Sequence, residues 1–205
     1  MIRAVVFDIG KVLIGWDPEG FYDRLIGRDR RLALFAQVPL HAMNIGLDNG
    51  DPWLGSVAAL ADRHPDWRAE IMCWHGRWVE MTGPVIERSV RLMRALRARG
   101  VPVYALTNFG GESFRFATAT YRFFTEFDGA AVSGDLRMMK PDPGIYAHIE
   151  AISGLSGPAL LFTDDKPENT AAAAQRGWHT HLFTAPEGLA NRLVAEGVLT
   201  EEQAR

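Results

Sequence analysis

Ala4-Val5-Val6-Phe7-Asp8-Ile9-Gly10-Lys11-Val12-Leu13 is the stretch on which the fold turns. Four apolar residues in a row, followed at once by a charge and a glycine, fit a strand buried on both faces. Such strands characterise a parallel sheet covered by helices. Asp8 then stands where the strand opens into a loop. In sheets of this kind, right-handed crossovers bring the C-terminal strand ends to one edge, where ligands bind. A carboxylate is thus expected at the mouth of the sheet, with no second carboxylate at Gly10, two positions on.

The rest of the chain supplies partners for this strand. Pro84 to Arg99 predicts a helix stopped by Gly100, and Val101 to Leu106 a strand that hands Thr107 and Asn108 to a loop. Gly129 to Ser133 reads as a shorter strand, Pro143 to Ile152 as a helix, and Ala159 to Phe162 as another buried strand. Glu168 to Arg176 is an Ala-rich helix closed by Gly177, and Trp178 to Phe183 is the last strand. This alternation predicts an α/β fold: a doubly wound, Rossmann-like parallel sheet with helices on its faces. Asp8, Thr107 and Asp164 all fall just past strand ends.

Residues 15–83 differ, with helical periodicity and no clear strand, and read as a small inserted helical domain. The core is then 1–14 and 84–205. Phe21, Leu25 and Ile26 suit one helix and Leu32 to Ala36 a second; Asp51 is placed to cap a third through Trp53, Val57, Leu60 and Ala61. Trp67 to Met81 makes a fourth. Trp53, Trp67, Trp74 and Trp78 concentrate here, where packing of the insert is their expected use. No pattern assigns Trp16, Met43, Asn44, Trp53 or Trp78 to a pocket.

Composition narrows the function. A chain of 205 residues, 47% hydrophobic, can bury a substantial core. Its net charge of -3, with signs interspersed, lacks the footprint of a nucleic-acid binder. Arg88, Arg91, Arg94, Arg97 and Arg99 alternate with apolar residues as the wet face of an amphipathic helix. Cys73 is alone, which excludes an internal disulfide. His179 and His181 share a strand face, for which a structural or exposed role is expected. Met1-Ile2-Arg3 runs straight into a short apolar stretch, too short for a signal-peptide core or a membrane span, so a cytoplasmic location is expected.

Four segments carry chemistry together: Phe7-Asp8-Ile9-Gly10-Lys11-Val12-Leu13, Leu106-Thr107-Asn108, Met139-Lys140-Pro141 and Phe162-Thr163-Asp164-Asp165. In order and approximate spacing the chain resembles the haloacid dehalogenase-like hydrolase superfamily over essentially its whole length. The resemblance implies that the insert is the family's helical cap and that Asp8 is the nucleophile. It implies that Thr107 and Asn108 offer hydroxyl, amide and backbone N–H groups to phosphoryl oxygens, and that Lys140 offsets repulsion between anions. A Mg2+ ion is implied on Asp8, the Gly10 carbonyl and Asp164, with Asp165 acting through water or orienting its neighbours and Asn169 bonding within the same loop. Oxygen ligands suit that ion, which draws a carboxylate and a phosphate dianion together. The implied substrate is a small phosphorylated metabolite, with Asp8 forming an aspartyl-phosphate.

Gly10 departs from the pattern. Many phosphatases of the superfamily carry a second Asp there, which protonates the leaving oxygen and later activates water. General acid-base catalysis contributes typically about two to four orders of magnitude, so its loss must be replaced or tolerated. An anomeric leaving group needs the acid less. The Asp-x-Gly start and compact insert most resemble the bacterial alpha-D-glucose-1-phosphate phosphatase subgroup. Proximity in sequence nominates Asp17 and Lys11 as substitute acids. Two alternatives are a 2-haloacid dehalogenase, in which Asp8 attacks carbon without an acid, and a catalytically weak binding or regulatory protein.

Overall fold

The computed structural model describes residues Met1–Arg205. Its centre is a five-stranded, wholly parallel sheet in the order β5-β4-β1-β6-β7. The strands are β1 (Ala4–Phe7), β4 (Val103–Thr107), β5 (Gly129–Val132), β6 (Leu160–Asp164) and β7 (His179–Leu182). Every residue of β1, β4 and β6 is buried, as expected of central strands covered on both faces.

Alternation along β1 divides the core. Ala4 and Val6 face one side, where Ile145, Tyr146 and Ile149 of a helix at Pro143–Ser153 and Ala173 of one at Pro167–Gln175 cover them. Val5 and Phe7 face the other, against Val90, Leu92, Met93 and Leu96 of a helix at Glu87–Ala98 and Leu189 and Leu193 of one at Pro186–Ala195. In chain order the helices are α1 (Pro18–Ile26), α2 (Arg28–Gln37), α3 (Leu40–Asp48), α4 (Trp53–Arg63), α5 (Arg68–Gly76) and α6 (Glu87–Ala98). They continue with α7 (Gly111–Thr120), α8 (Ser133–Leu136), α9 (Pro143–Ser153), α10 (Pro167–Gln175) and α11 (Pro186–Ala195). No helix is long and apolar enough to cross a membrane.

Helices α1 to α5 form the cap. They enter and leave through a two-stranded antiparallel ribbon, β2 (Ile14–Trp16) against β3 (Thr82–Val85), which the insert's helical periodicity concealed. Pro84 and Val85 therefore belong to this ribbon and not to the following helix, which starts at Glu87. Gly15 is obligatory here, because a Cβ would lie 2.3 Å from the Gly83 carbonyl oxygen.

Three further details correct the sequence reading of the insert. Helix α3 was not foreseen; its buried residues are only Leu40 and Leu47, too few to make a stripe. Asp51 does not cap α4, which begins after Pro52 with no side-chain cap; the Asp51 backbone N–H instead bonds the Gly46 carbonyl at 2.9 Å. Trp67 to Met81 is not one helix but α5 flanked by 3-10 turns at Pro65–Trp67 and Trp78–Met81. Trp53, Trp74 and Trp78 are buried, and Trp74 sits in an aromatic group with Trp16 and Tyr22 at centroid distances of 6.1 and 6.2 Å. Trp67 lies nearer the surface, beneath the guanidinium of Arg30.

Candidate active site

The C-terminal ends of β1, β4 and β6 open into a cavity of about 550 Å³ between sheet and cap. Asp8, one residue past β1, is 7% exposed. Thr107 and Asp164, the last residues of β4 and β6, are buried and are neighbours of β1 through the sheet register. These positions follow from the sheet: parallel strands in register deliver their last side chains to one edge.

Lys140 joins them from the loop before α9. Its Nζ lies 2.8 Å from Asp8 Oδ1 and 2.6 Å from Asp164 Oδ2, and donates to the Leu106 carbonyl at 2.8 Å. The ammonium group is therefore fully partnered at 5% residue exposure. Burial acts to lower the Lys140 pKa, but the carboxylates of Asp8 and Asp164 outweigh it and hold the group above its ordinary value. Burial pushes Asp8 up, to about 6, against the opposing pull of Lys140 and with the help of the Asp164 charge.

Asn108 holds Lys140 in place. Its Oδ1 accepts from the Lys140 backbone N–H at 2.7 Å, and its Nδ2 donates to the Lys140 carbonyl at 3.0 Å. The side-chain amide that sequence reasoning offered to phosphoryl oxygens is thus engaged with the lysine's backbone. Asp164 is similarly fixed: Asn169 Nδ2 donates to both its oxygens at 3.0 and 3.1 Å, and the Lys166 backbone N–H donates to Oδ1 at 2.8 Å.

Asp8, Asp164 and Asp165 each present a carboxylate oxygen within 4.8 Å of the others. Burial and the neighbouring Asp164 charge raise the Asp165 carboxyl. Three hard oxygen donors with only one buried ammonium group among them fit a Mg2+ ion well. Gly10 lines the same cavity, and a Cβ built there meets no atom within 4 Å. The missing side chain leaves open space at that point.

The substitute acids suggested by sequence both line the cavity. Asp17 and Lys11 are both exposed, and Asp17 is committed to capping α1, accepting from the Gly20 N–H at 2.9 Å. Trp16, Asn44 and Trp78 line the cavity, whereas Met43 and Trp53 do not. One lining residue had no sequence signal at all. Asp48, the last residue of α3, belongs to the same cavity as Asp8 and Lys140. Burial pushes its carboxyl up to about 7.

The comparisons with solved structures match this architecture. A haloacid dehalogenase (HAD) family enzyme of Bacteroides thetaiotaomicron superposes with a TM-score of 0.70 at 22% identity, covering 90% of this chain and 94% of that one. The chain has the haloacid dehalogenase-like fold. A predicted HAD-like family hydrolase of Porphyromonas gingivalis gives a TM-score of 0.70 at 20% identity, over 96% and 98% of the two chains. L-2-haloacid dehalogenase of Xanthobacter autotrophicus shares the haloacid dehalogenase-like fold at a TM-score of 0.62 and 18% identity, over 100% and 87%. The Bacteroides enzyme is also known in complex with magnesium and inorganic phosphate. In sequence, the chain is 27% identical to the sesquiterpene phosphatase astK of Aspergillus oryzae, over 85% of this chain and 86% of that protein. No family model matches the chain.

Proposed function

We propose that the protein is a Mg2+-dependent phosphomonoesterase acting on a small, hydroxylated phosphate ester such as a sugar phosphate. The observation that carries this reading is Lys140 Nζ bridging Asp8 and Asp164 beneath a cluster of three carboxylates. A buried carboxylate beside a cation and a metal-competent cluster suits attack on phosphorus; three acidic groups repel the carboxylate of a haloacid. The superpositions with hydrolases of this fold and the similarity to a phosphatase support it.

In this reading Asp8, Asp164 and the Gly10 carbonyl hold the ion, with Asp165 beside them. The ion, when bound, lowers the repulsion between carboxylate and phosphate and favours the charge of the transferring group. Asp8 attacks the phosphoryl group and carries it as an acyl phosphate. Thr107 and the Asn108 backbone N–H receive the phosphoryl oxygens, and Lys140 offsets the accumulating negative charge. Asn108 and Asn169 fix the Lys140 backbone and the Asp164 carboxylate, so little reorganisation accompanies reaction.

The remaining wall supports a hydroxylated leaving group. Trp16 and Trp78 line the cavity together with Asn44, His41 and Glu19, a combination of aromatic and polar groups suited to a sugar. Phosphate release from p-nitrophenyl phosphate and from sugar-1-phosphates, with Mg2+ or EDTA and Asp8→Asn as control, tests the reading. Release abolished by chelation and by the substitution is expected. Metal-independent chloride release from 2-chloropropionate identifies a dehalogenase instead, and silence on every substrate a binding protein.

A further inference from the structure

We propose that Asp48, on the cap helix α3, is the proton donor and acceptor that replaces the carboxylate missing at Gly10. The inference rests on the phosphomonoesterase reading above and adds the residue that completes it.

Three observations converge on Asp48. It lines the cavity that holds Asp8, Lys140 and Asp165, and reaches it from the cap helix α3. Its carboxyl is oriented: Oδ2 accepts from Asn44 Nδ2 at 3.0 Å, and Asn44 Oδ1 in turn accepts from the indole N–H of fully buried Trp74 at 3.2 Å. The other carboxyl oxygen makes no side-chain hydrogen bond within the protein. A carboxyl positioned by a third group is the arrangement expected of a working acid or base. The backbone beneath it is pinned to the core, because Ser133 Oγ donates to the Asp48 carbonyl at 2.5 Å while accepting from the Phe109 N–H at 2.8 Å.

The electrostatics agree with the geometry. The charged groups facing Asp48 are Asp8 at the end of β1, Lys166 before α10 and Lys140 before α9, and the Gly110 N–H points toward it from the loop before α7. Burial and Asp8 favour the neutral acid; Gly110, Lys166 and Lys140 oppose them, and the balance leaves a carboxyl poised near neutrality. Asp17 and Lys11 line the same cavity but are solvent-exposed, and Asp17 is engaged in capping α1.

The chemistry balances. As Asp8 forms its bond to phosphorus and the bond to the leaving oxygen breaks, the Asp48 proton passes to that oxygen, releasing a neutral alcohol. The Asp48 carboxylate then takes a proton from water as the water oxygen attacks the aspartyl-phosphate. The Asp8–phosphorus bond breaks, inorganic phosphate leaves, and both residues return to their starting states.

The test compares wild type and Asp48→Asn, both with Mg2+, on glucose-1-phosphate, an alkyl phosphate and p-nitrophenyl phosphate. Asn keeps the shape and can still accept from Asn44. The variant is expected to lose about 10²- to 10⁴-fold in kcat on the alkyl ester. On p-nitrophenyl phosphate, whose leaving group needs no proton, it is expected to release one equivalent of p-nitrophenolate rapidly and then turn over slowly. Adding Gly10→Asp to Asp48→Asn fills the open space beside Asp8 and is expected to restore turnover on all three substrates. Turnover of the single Asp48→Asn variant on the alkyl ester within twofold of wild type overturns the proposal. So does an equal loss on all three esters with no burst, because a merely structural role predicts it. A wild-type enzyme that releases no phosphate from any ester overturns the phosphatase reading itself.

Discussion

Asp48→Asn has a consequence for stability that is separate from catalysis. The folded protein raises the Asp48 carboxyl from 3.8 to about 7, chiefly by burying it. A raised carboxyl pKa means that the folded state binds more protons than the unfolded chain between these values, so stability falls as pH rises through that window. Each pKa unit corresponds to about 1.36 kcal/mol. Between pH 5 and pH 8.5 such a shift removes about 2.7 kcal/mol from the wild type; the residue is partly exposed, which reduces the expectation to roughly 1 to 3 kcal/mol. Asparagine does not titrate. The variant should therefore gain relative to the wild type as pH rises, by that amount between the two pH values. Urea unfolding of both proteins at pH 5 and 8.5, in EDTA to keep the carboxylate cluster in the same state, measures the difference. A stability gap that is the same at both pH values would refute the reasoning, since it would mean that Asp48 titrates alike in the folded and unfolded chain.

Other expectations follow from the same geometry. Lys140→Met leaves Asp8 and Asp164 without their shared cation and should cost about 3 to 5 kcal/mol in EDTA, part of it recovered on adding Mg2+; wild-type urea stability in the chelated variant would contradict this. Ser133→Ala removes the hydroxyl between the Asp48 carbonyl and the Phe109 N–H and should lower stability by about 1 to 3 kcal/mol, readable in the same urea titrations. Gly134→Ala should cost at least as much, because a Cβ there would sit 2.4 Å from the Gly111 nitrogen and 2.9 Å from the Gly110 Cα. A thermal melt equal to wild type would show that these loops can move apart freely.

The sheet was legible because its strands are apolar on both faces. Ala4 to Phe7, Val103 to Leu106 and Leu160 to Phe162 are uninterrupted apolar runs, and burial of every residue follows. The meeting of Asp8, Thr107 and Asp164 was legible for the same reason, since parallel register carries strand ends to one edge, whereas Lys140, in a loop, was named only through the resemblance to the superfamily. The insert was less so. The ribbon of Ile14–Trp16 and Thr82–Val85 is short, contains Gly15, Gly83 and Pro84, and is held by backbone bonds that leave no pattern. Helix α3 buries two side chains and carries Gly46 within it. Asp48 could not be found from sequence, because its neighbours Asp8, Gly110, Lys140 and Lys166 are brought to it from four separate loops by the fold.

The Ser133 hydroxyl joins the end of a cap helix to the loop after β4, and the Phe109 amide proton is bound to that same oxygen. Ser133 opens α8 directly after β5, so the hydroxyl belongs to the sheet side and only the Asp48 carbonyl belongs to the cap. A cap that swings clear therefore gives up the bond from Ser133 Oγ to Asp48 and leaves the Phe109 amide still bound. Opening at this point costs one hydrogen bond, about 0.5 to 1.5 kcal/mol, and the core half of the latch stays assembled for reclosure.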